Sequence, residues 1–465
     1  MKKKVLSVLL TSAMVASMLA GCGSSSSDAA ATTEAATESA AAEATEEAAE
    51  EAEVTEEAAA EDTASEGDNT LSVYAWDAGF NIPALEAAAA DYKANVNPDF
   101  VLNIEEQSQS SDVENAITLA GSSGDYSALP DIVLFQDHYI QRYVADYPDA
   151  WVSIDDAGVN WDNVGAEKQS YSTIDGVHYG FPVDNGTAIF AYRTDCLEAA
   201  GYTIDDLTGC TWEKFIEIGE AVYAATGKYL LCMDGDGNDL FYLMMQAEGK
   251  SQWKDGEPYI TGNDDLITIF NLLVEMAQKN VLYLANDWSD YTDQAIVGDM
   301  VAGVCNGNWI IPTNEKVSEN SGKWEITSMP TINGGEGYAA NGGSSLYITS
   351  NCKNQQLAKD FLAYTFGNGS TATYDDALRN GGVISCVSTA AESDVYKEGV
   401  EYFNNQAIYA DIVAMGANVP VIEQNDYHYS LRSVLATALI NTINGADAMT
   451  ELQTAEDDIR FEMGL

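Results

Sequence analysis

Leu129-Pro130-Asp131-Ile132-Val133-Leu134-Phe135 is an unbroken apolar run opened by a proline and followed by the polar triplet Gln136-Asp137-His138. A strand buried on both faces carries no polar alternation, so this run reads as a central strand of a parallel sheet. Working outward, Leu71–Trp76 and Val101–Glu105 read as two further strands. Pro83–Tyr92, a segment starting at Asp112 as N-cap, and Tyr139–Val144 read as the helices between and after them. Strand and helix in strict alternation predict an open α/β sheet. In such sheets ligands bind beyond the carboxyl ends of the strands, which here carry Trp76-Asp77 and Gln136-Asp137-His138.

The ends of the chain differ in kind from this part. Lys2-Lys3-Lys4 precedes an apolar stretch, Val5–Leu19, that is too short for an ordinary membrane span and reads as an export signal. It ends in Leu19-Ala20-Gly21-Cys22, which resembles the lipobox of bacterial lipoproteins. That resemblance implies a signal peptide over 1–21, cleavage before Cys22, a lipid on its thiol, and location on the outer face of the bacterial cell membrane. Residues 22–69 follow as an acidic segment rich in Ala, Glu, Thr and Ser without Lys, Arg or aromatic residues beyond the cysteine. It cannot bury enough apolar surface to offset its ordering entropy and is expected to be a disordered tether, with a span on the order of 40 Å.

Removing signal and tether leaves about 395 residues, too many for one core and suited to two lobes. The formal charge of −54 argues against nucleic acid, which needs basic patches, and against electrostatic docking on anionic lipid. Six cysteines besides Cys22 are scattered at 196, 210, 232, 305, 352 and 386 without a CxxC pair, and only three histidines occur. That pattern offers no metal site and no cofactor, and favours free, buried thiols. Asp234-Gly235-Asp236-Gly237-Asn238-Asp239 opens like a calcium loop. Asp239 stands where glycine is required and Met245 where glutamate is required, so a turn is the expectation.

From Val177 to Arg193 the chain reads Val-His-Tyr-Gly-Phe-Pro-Val-Asp-Asn-Gly-Thr and then Ala-Ile-Phe-Ala-Tyr-Arg. With Thr211-Trp212-Glu213-Lys214-Phe215, the run Met300–Trp309, and Asn341-Gly342-Gly343-Ser344-Ser345-Leu346-Tyr347-Ile348, this order closely resembles the family 1 extracellular solute-binding proteins, which include maltose-binding protein. The likeness spans about residues 71–465. It implies a two-lobed α/β fold of the periplasmic-binding-protein type, each lobe a mainly parallel sheet flanked by helices. Lobe 1 is expected over 71–184 plus 338–370 and lobe 2 over 187–330 plus 373–465. The lobes should be joined near Asp184–Thr187, Pro330–Gly337 and Gly367–Thr373.

The resemblance further implies a monomeric, non-enzymatic receptor that passes a small polar ligand, a sugar in the first instance, to the permease of an ABC importer. A sugar site needs aromatic platforms for the CH faces and planar polar groups for the hydroxyls. Trp309 matches the family's stacking tryptophan, Trp76 ends the first strand, and Trp288 lies in an acidic loop. Asp77, Asp137 or its neighbour His138, Asp184 and Asn185 on the crossing segment, and Asn341 and Gly343 on the return strand complete the candidate site. Maltose-binding protein has a carboxylate two positions beyond Asp184, where this chain has Gly186, so the exact ligand stays open. A peptide, polyamine or other cation on the same fold is the alternative ligand. A glycoside hydrolase is the alternative activity, but no Gly-x-Ser-x-Gly, HExxH or Walker loop is present.

Overall fold

The computed structural model describes residues 69–234 and 240–465. The expected signal, the lipidated Cys22, the tether and most of the acidic loop after Asp234 lie outside the described residues. The strand expected from Leu129–Phe135 is Ile132–Gln136, sitting at the centre of a five-stranded sheet. The order is Val101–Glu106, Thr70–Ala75, Ile132–Gln136, Ser344–Ile348, Gly180–Pro182. The first three strands are parallel, and Ser344–Ile348 runs antiparallel beside them. Leu71, Val73, Ile132, Leu134, Leu346 and Ile348 share one core under this sheet, and Val133, Phe135 and Tyr347 share another on its opposite face. The alternation explains the uninterrupted apolar run: both faces are covered.

The second lobe is built around Ala188–Arg193, which is antiparallel to both neighbours, Gly303–Gly307 and Trp324–Thr327. Leu231–Asp234 and Leu282–Ala285 form a parallel pair in the same lobe. The helix Trp212–Thr226 shows how sequence sets this layer. Thr211 Oγ1 accepts the amide of Lys214 at 3.3 Å, which caps the first turn of the helix. Trp212, Phe215, Ile216, Ile218 and Val222 recur at helical spacing and are all buried in the main core. Each contributes roughly 1.5–3 kcal/mol through removal of apolar surface from water. Gly227 closes the helix at φ 75°, a left-handed value that glycine takes without strain.

Three segments cross between the lobes and lie side by side. The amide of Asn185 donates to Ile384 O (3.0 Å), that of Asn341 to Gly186 O (2.8 Å), and that of Ala188 to Ala339 O (2.8 Å). The second crossing therefore sits at residues 339–344 rather than at Pro330–Gly337. Those residues pack on the second lobe, where Thr331 bridges Thr211 and the amide of Gly335 donates to Gly209 O (2.9 Å). The third connection likewise lies beyond the helix Thr371–Gly381: Ile384 meets the first crossing, and the chain still touches the first lobe through the Val164–Val387 bridge and the Ser388 amide, which donates to Asn163 O (2.9 Å). Buried Asp91 ties this helix to the first lobe by accepting hydrogen bonds from Ser370 Oγ and Thr373 Oγ1, while Tyr374 OH donates to Val183 O (2.9 Å). The small residues Ala84, Ala87 and Ala88 on the helix Asn81–Asn95 are buried in the first-lobe core together with Tyr374 and Ala377. Among the described residues no disulfide joins the six cysteines, four of which are buried.

Candidate functional site

A cavity of about 670 Å³ opens where the two lobes and the crossing segments meet. The first lobe contributes Trp76, Asp77, Phe80, Asn81, Ser110, Ser111, Glu114, Gln136 and Tyr139. The crossing segments contribute Asp184, Asn341, Gly342, Gly343 and Ser344, and the second lobe Trp288, Asn306, Trp309, Tyr429 and Arg432. Of the residues expected from sequence, Trp76, Asp77, Asp184, Trp288, Trp309, Asn341 and Gly343 thus line one space.

Strand ends place the first-lobe groups. Asp77 follows the strand Thr70–Ala75 at φ 68°, and its Oδ1 accepts the amide of Gly79 at 3.0 Å. Its carbonyl accepts the amides of Phe80 and Ile82, so one residue both turns the chain into the next helix and faces the cavity. Gln136, at the end of Ile132–Gln136, donates from Nε2 to Ser110 Oγ (2.8 Å) and accepts from Tyr429 OH (3.2 Å). Tyr139 stacks on Tyr429 with centroids 4.5 Å apart, so this corner joins both lobes.

Two tryptophans form the second-lobe wall. Trp309 donates its indole N–H to Asn341 O at 3.0 Å, which fixes the ring edge and leaves the face as the surface it can offer. Trp288 is 5.8 Å away at an interplanar angle of 46°, and stacks in turn on Tyr291. Below them Asn306 accepts from Asn341 Nδ2 (2.6 Å) and from the amide of Gly307 (2.9 Å). At the floor, buried Asp184 accepts the amide of Ser344 at Oδ1 (3.0 Å), while its Oδ2 has no hydrogen-bond partner among the described residues. A buried carboxylate oxygen without a donor is costly unless something supplies one.

Three expected residues sit elsewhere. Asp137 does not line the cavity. It starts the helix Asp137–Asp146, lies beneath Gly343, and accepts from Lys168 Nζ and from Ser345 Oγ (2.8 Å). Burial alone works against the Lys168 charge, but Asp137 and then Asp184 raise its pKa, so it stays protonated. His138 stacks on His428 of the second lobe at 4.2 Å and 6°, edged by Tyr171 and Tyr242, in an interlobe contact beside the cavity. Asn185 faces away from its neighbour Asp184, its Oδ1 accepting from Asn308 Nδ2 and from the amide of Thr187.

Sequence reading missed Tyr429, Arg432, Gln136, Asn306, Ser110, Ser111, Glu114, Phe80, Asn81 and Tyr139. Gln136 and Asn306 carried a usable signal, each standing at a strand end already singled out. Tyr429 and Arg432 are three apart on the helix His428–Ile443, hence on one face, with Arg432 4.8 Å over the Tyr429 ring. Nothing local says that this face meets a strand end almost three hundred residues earlier. Among the described residues no group of three or more His, Cys, Asp or Glu could hold a metal, and no helix is long and apolar enough to cross a membrane.

A two-lobed α/β fold with an aromatic and carboxylate-lined cavity at its crossing segments defines a class of ligand-capturing proteins. Residues 87–404 match the bacterial extracellular solute-binding protein family, and the chain belongs to it. It is 29% identical over 392 residues to the lactose-binding protein of Rhizobium radiobacter, covering 83% of this chain and 91% of that one. Its fold matches the crystal structure of an extracellular solute-binding protein of family 1, with a TM-score of 0.70 at 18% identity, covering 83% of this chain and 97% of that one. It also matches the ABC transporter associated binding protein of B. animalis subsp. lactis Bl-04 in complex with beta-1,6-galactobiose, with a TM-score of 0.65 at 22% identity, covering 85% and 97%.

Proposed function

We propose that this chain is a lipid-anchored, non-enzymatic receptor that captures a mono- or oligosaccharide between its lobes and delivers it to an ABC importer. The observation that carries this reading is the pairing of the Trp288–Trp309 wall with the donor-free Asp184 Oδ2 across one cavity. Indole faces take the CH faces of a sugar ring, and a lone carboxylate oxygen takes its hydroxyls. The cavity volume lies within the roughly 300–1,000 Å³ typical of ligand sites. The sugar ligands named for the relatives support the same class. Cys22 would hold the anchor, and residues 22–69 would act as tether.

Ligand bound here would touch both lobes only when they close, so it shifts the population toward closure and presents a changed surface to the permease. One observation favours a second reading. Asp77, Glu114 and Asp184 face a single guanidinium, that of Arg432, so a cationic ligand such as a polyamine fits the charge balance. A thermal-shift screen with mono- and oligosaccharides, polyamines and peptides separates the two. A sugar-induced rise in melting temperature that is insensitive to salt supports the first reading. A salt-sensitive rise with the cation alone supports the second. Hydrolysis of a bound oligosaccharide would instead reveal an enzyme.

A further inference from the structure

Asp184 and Asn185 are consecutive, yet Asp184 lines the interlobe cleft and Asn185 lines a separate cavity of about 250 Å³. The crossing segment separates the two spaces. The rear cavity is also built from both lobes: Glu167 and Lys168 come from the first-lobe helix Ala166–Ser172, Val413 from the second-lobe helix Ile408–Gly416, and Ala417 follows it. Glu167 is only 5% exposed, and its Oε1 has no hydrogen-bond partner among the described residues. The one ammonium in the wall, Lys168, is already paired with Asp137. With exposed Asp162 at the rim, the charge left facing the cavity is negative.

We infer that this rear cavity binds a small organic ammonium compound, with Glu167 as its carboxylate acceptor, and that its occupancy is coupled to lobe movement. A divalent ion would need several oxygen ligands, and no cluster of three acidic, His or Cys groups exists among the described residues. The space is too small for a chain of sugars but admits a molecule of a few heavy atoms. An ammonium donates to the open Oε1 and supplies the missing charge. Burial pushes the Glu167 carboxyl up to about 7, against the opposing pull of Tyr171, of the nearby Lys168 charge and of Gln246. Rotation of two lobes about the crossing segments widens one side as it narrows the other. An occupant of the rear cavity therefore binds the open and closed forms unequally, and cleft and rear ligands must affect each other reciprocally.

The test uses ethanolamine and its neutral isostere ethylene glycol on the full chain at about pH 8, where Glu167 is ionised and the amine protonated. Ethanolamine is expected to raise the melting temperature in a concentration-dependent way, and ethylene glycol to leave it unchanged. Glu167→Gln and, separately, Ala417→Leu, which fills the cavity from an exposed position, should each lose most of the shift. Trp309→Ala should keep it, which distinguishes rear binding from cleft binding. Ethanolamine should also change the apparent sugar affinity by at least about threefold. The direct shift needs no sugar, so it reads this inference even if the cleft proves to bind something else. No shift, an equal response to ethylene glycol, loss in Trp309→Ala, or full retention in both rear-cavity variants overturns the inference. Should Glu167→Gln fail to fold, Ala417→Leu and Asp162→Asn carry the test.

Discussion

Gly343 adopts φ +103°, a left-handed value, and a Cβ built there would sit 2.1 Å from Lys168 Nζ and 3.1 Å from Asp137 Oδ2. The backbone must run this close because the buried Lys168–Asp137 pair lies directly beneath the cleft floor. Gly343→Ala should therefore destabilise the protein by at least about 2 kcal/mol, read by denaturant unfolding, through backbone strain and disruption of a buried ion pair. Trp309 is the counterpart on the wall: its edge is held by Asn341 O, and the half-buried ring lines the cavity. Trp309→Ala should weaken ligand binding at least about tenfold, roughly 1.4 kcal/mol, with no loss of fold by circular dichroism. Glu167 gives a pH prediction. Its folded pKa of about 7 stands above the ordinary carboxyl value, so between the two the native state holds more protons than the unfolded one. Stability from this group falls as pH rises from about 4.5 to 7, and Glu167→Gln should remove about 3 kcal/mol of that dependence in denaturant titrations.

At the scale of elements, what could be read from sequence was what local chemistry determines. The central strand announced itself by its apolar run, whereas the helix start at Thr211 was carried by the family resemblance. Thr211→Ala should cost about 1 kcal/mol, measured by denaturant unfolding, because the Lys214 amide loses its acceptor. Asp112 misled for a related reason. The helix begins at Ser110 after an extended Gln109, which leaves Asp112 in the first turn, where a carboxylate favours the helix dipole without capping it. The helix Thr371–Gly381 begins inside the stretch expected to be a crossing, and its tie to the first lobe could not be read locally, since its partner Asp91 lies some 280 positions away. For the same reason Asp137, Asn185 and His138 were placed in the site: position after a strand end or on a crossing segment was visible, but the side of the backbone each faces was not. Lys168, which claims Asp137, gave no signal at all in a short helix outside the motifs.

Across the whole molecule, the two lobes were legible from chain length and from the resemblance of the motif order to the solute-binding family. The crossings themselves shifted from the expected places. Pro330–Gly337 was expected to join the lobes, yet it is bonded to the second lobe, and the connection runs through Ala339–Ser344. The first crossing segment is hydrogen-bonded to each of the other two, an arrangement that would confine any lobe movement to rotation about a common line, the motion a capture mechanism requires. The interlobe contacts of Tyr429 with Gln136 and of His138 with His428 lie on the surfaces that such a rotation separates. The central claim is that the cavity between the lobes is a sugar site. Isothermal titration of lactose, galactobiose and maltose into the purified chain, at low and high salt, tests it most directly. We predict saturable one-to-one binding of at least one of them, unchanged by salt and weakened at least about tenfold by Trp309→Ala. No binding of any sugar, together with salt-sensitive binding of a polyamine or peptide that Trp309→Ala leaves intact, would contradict it.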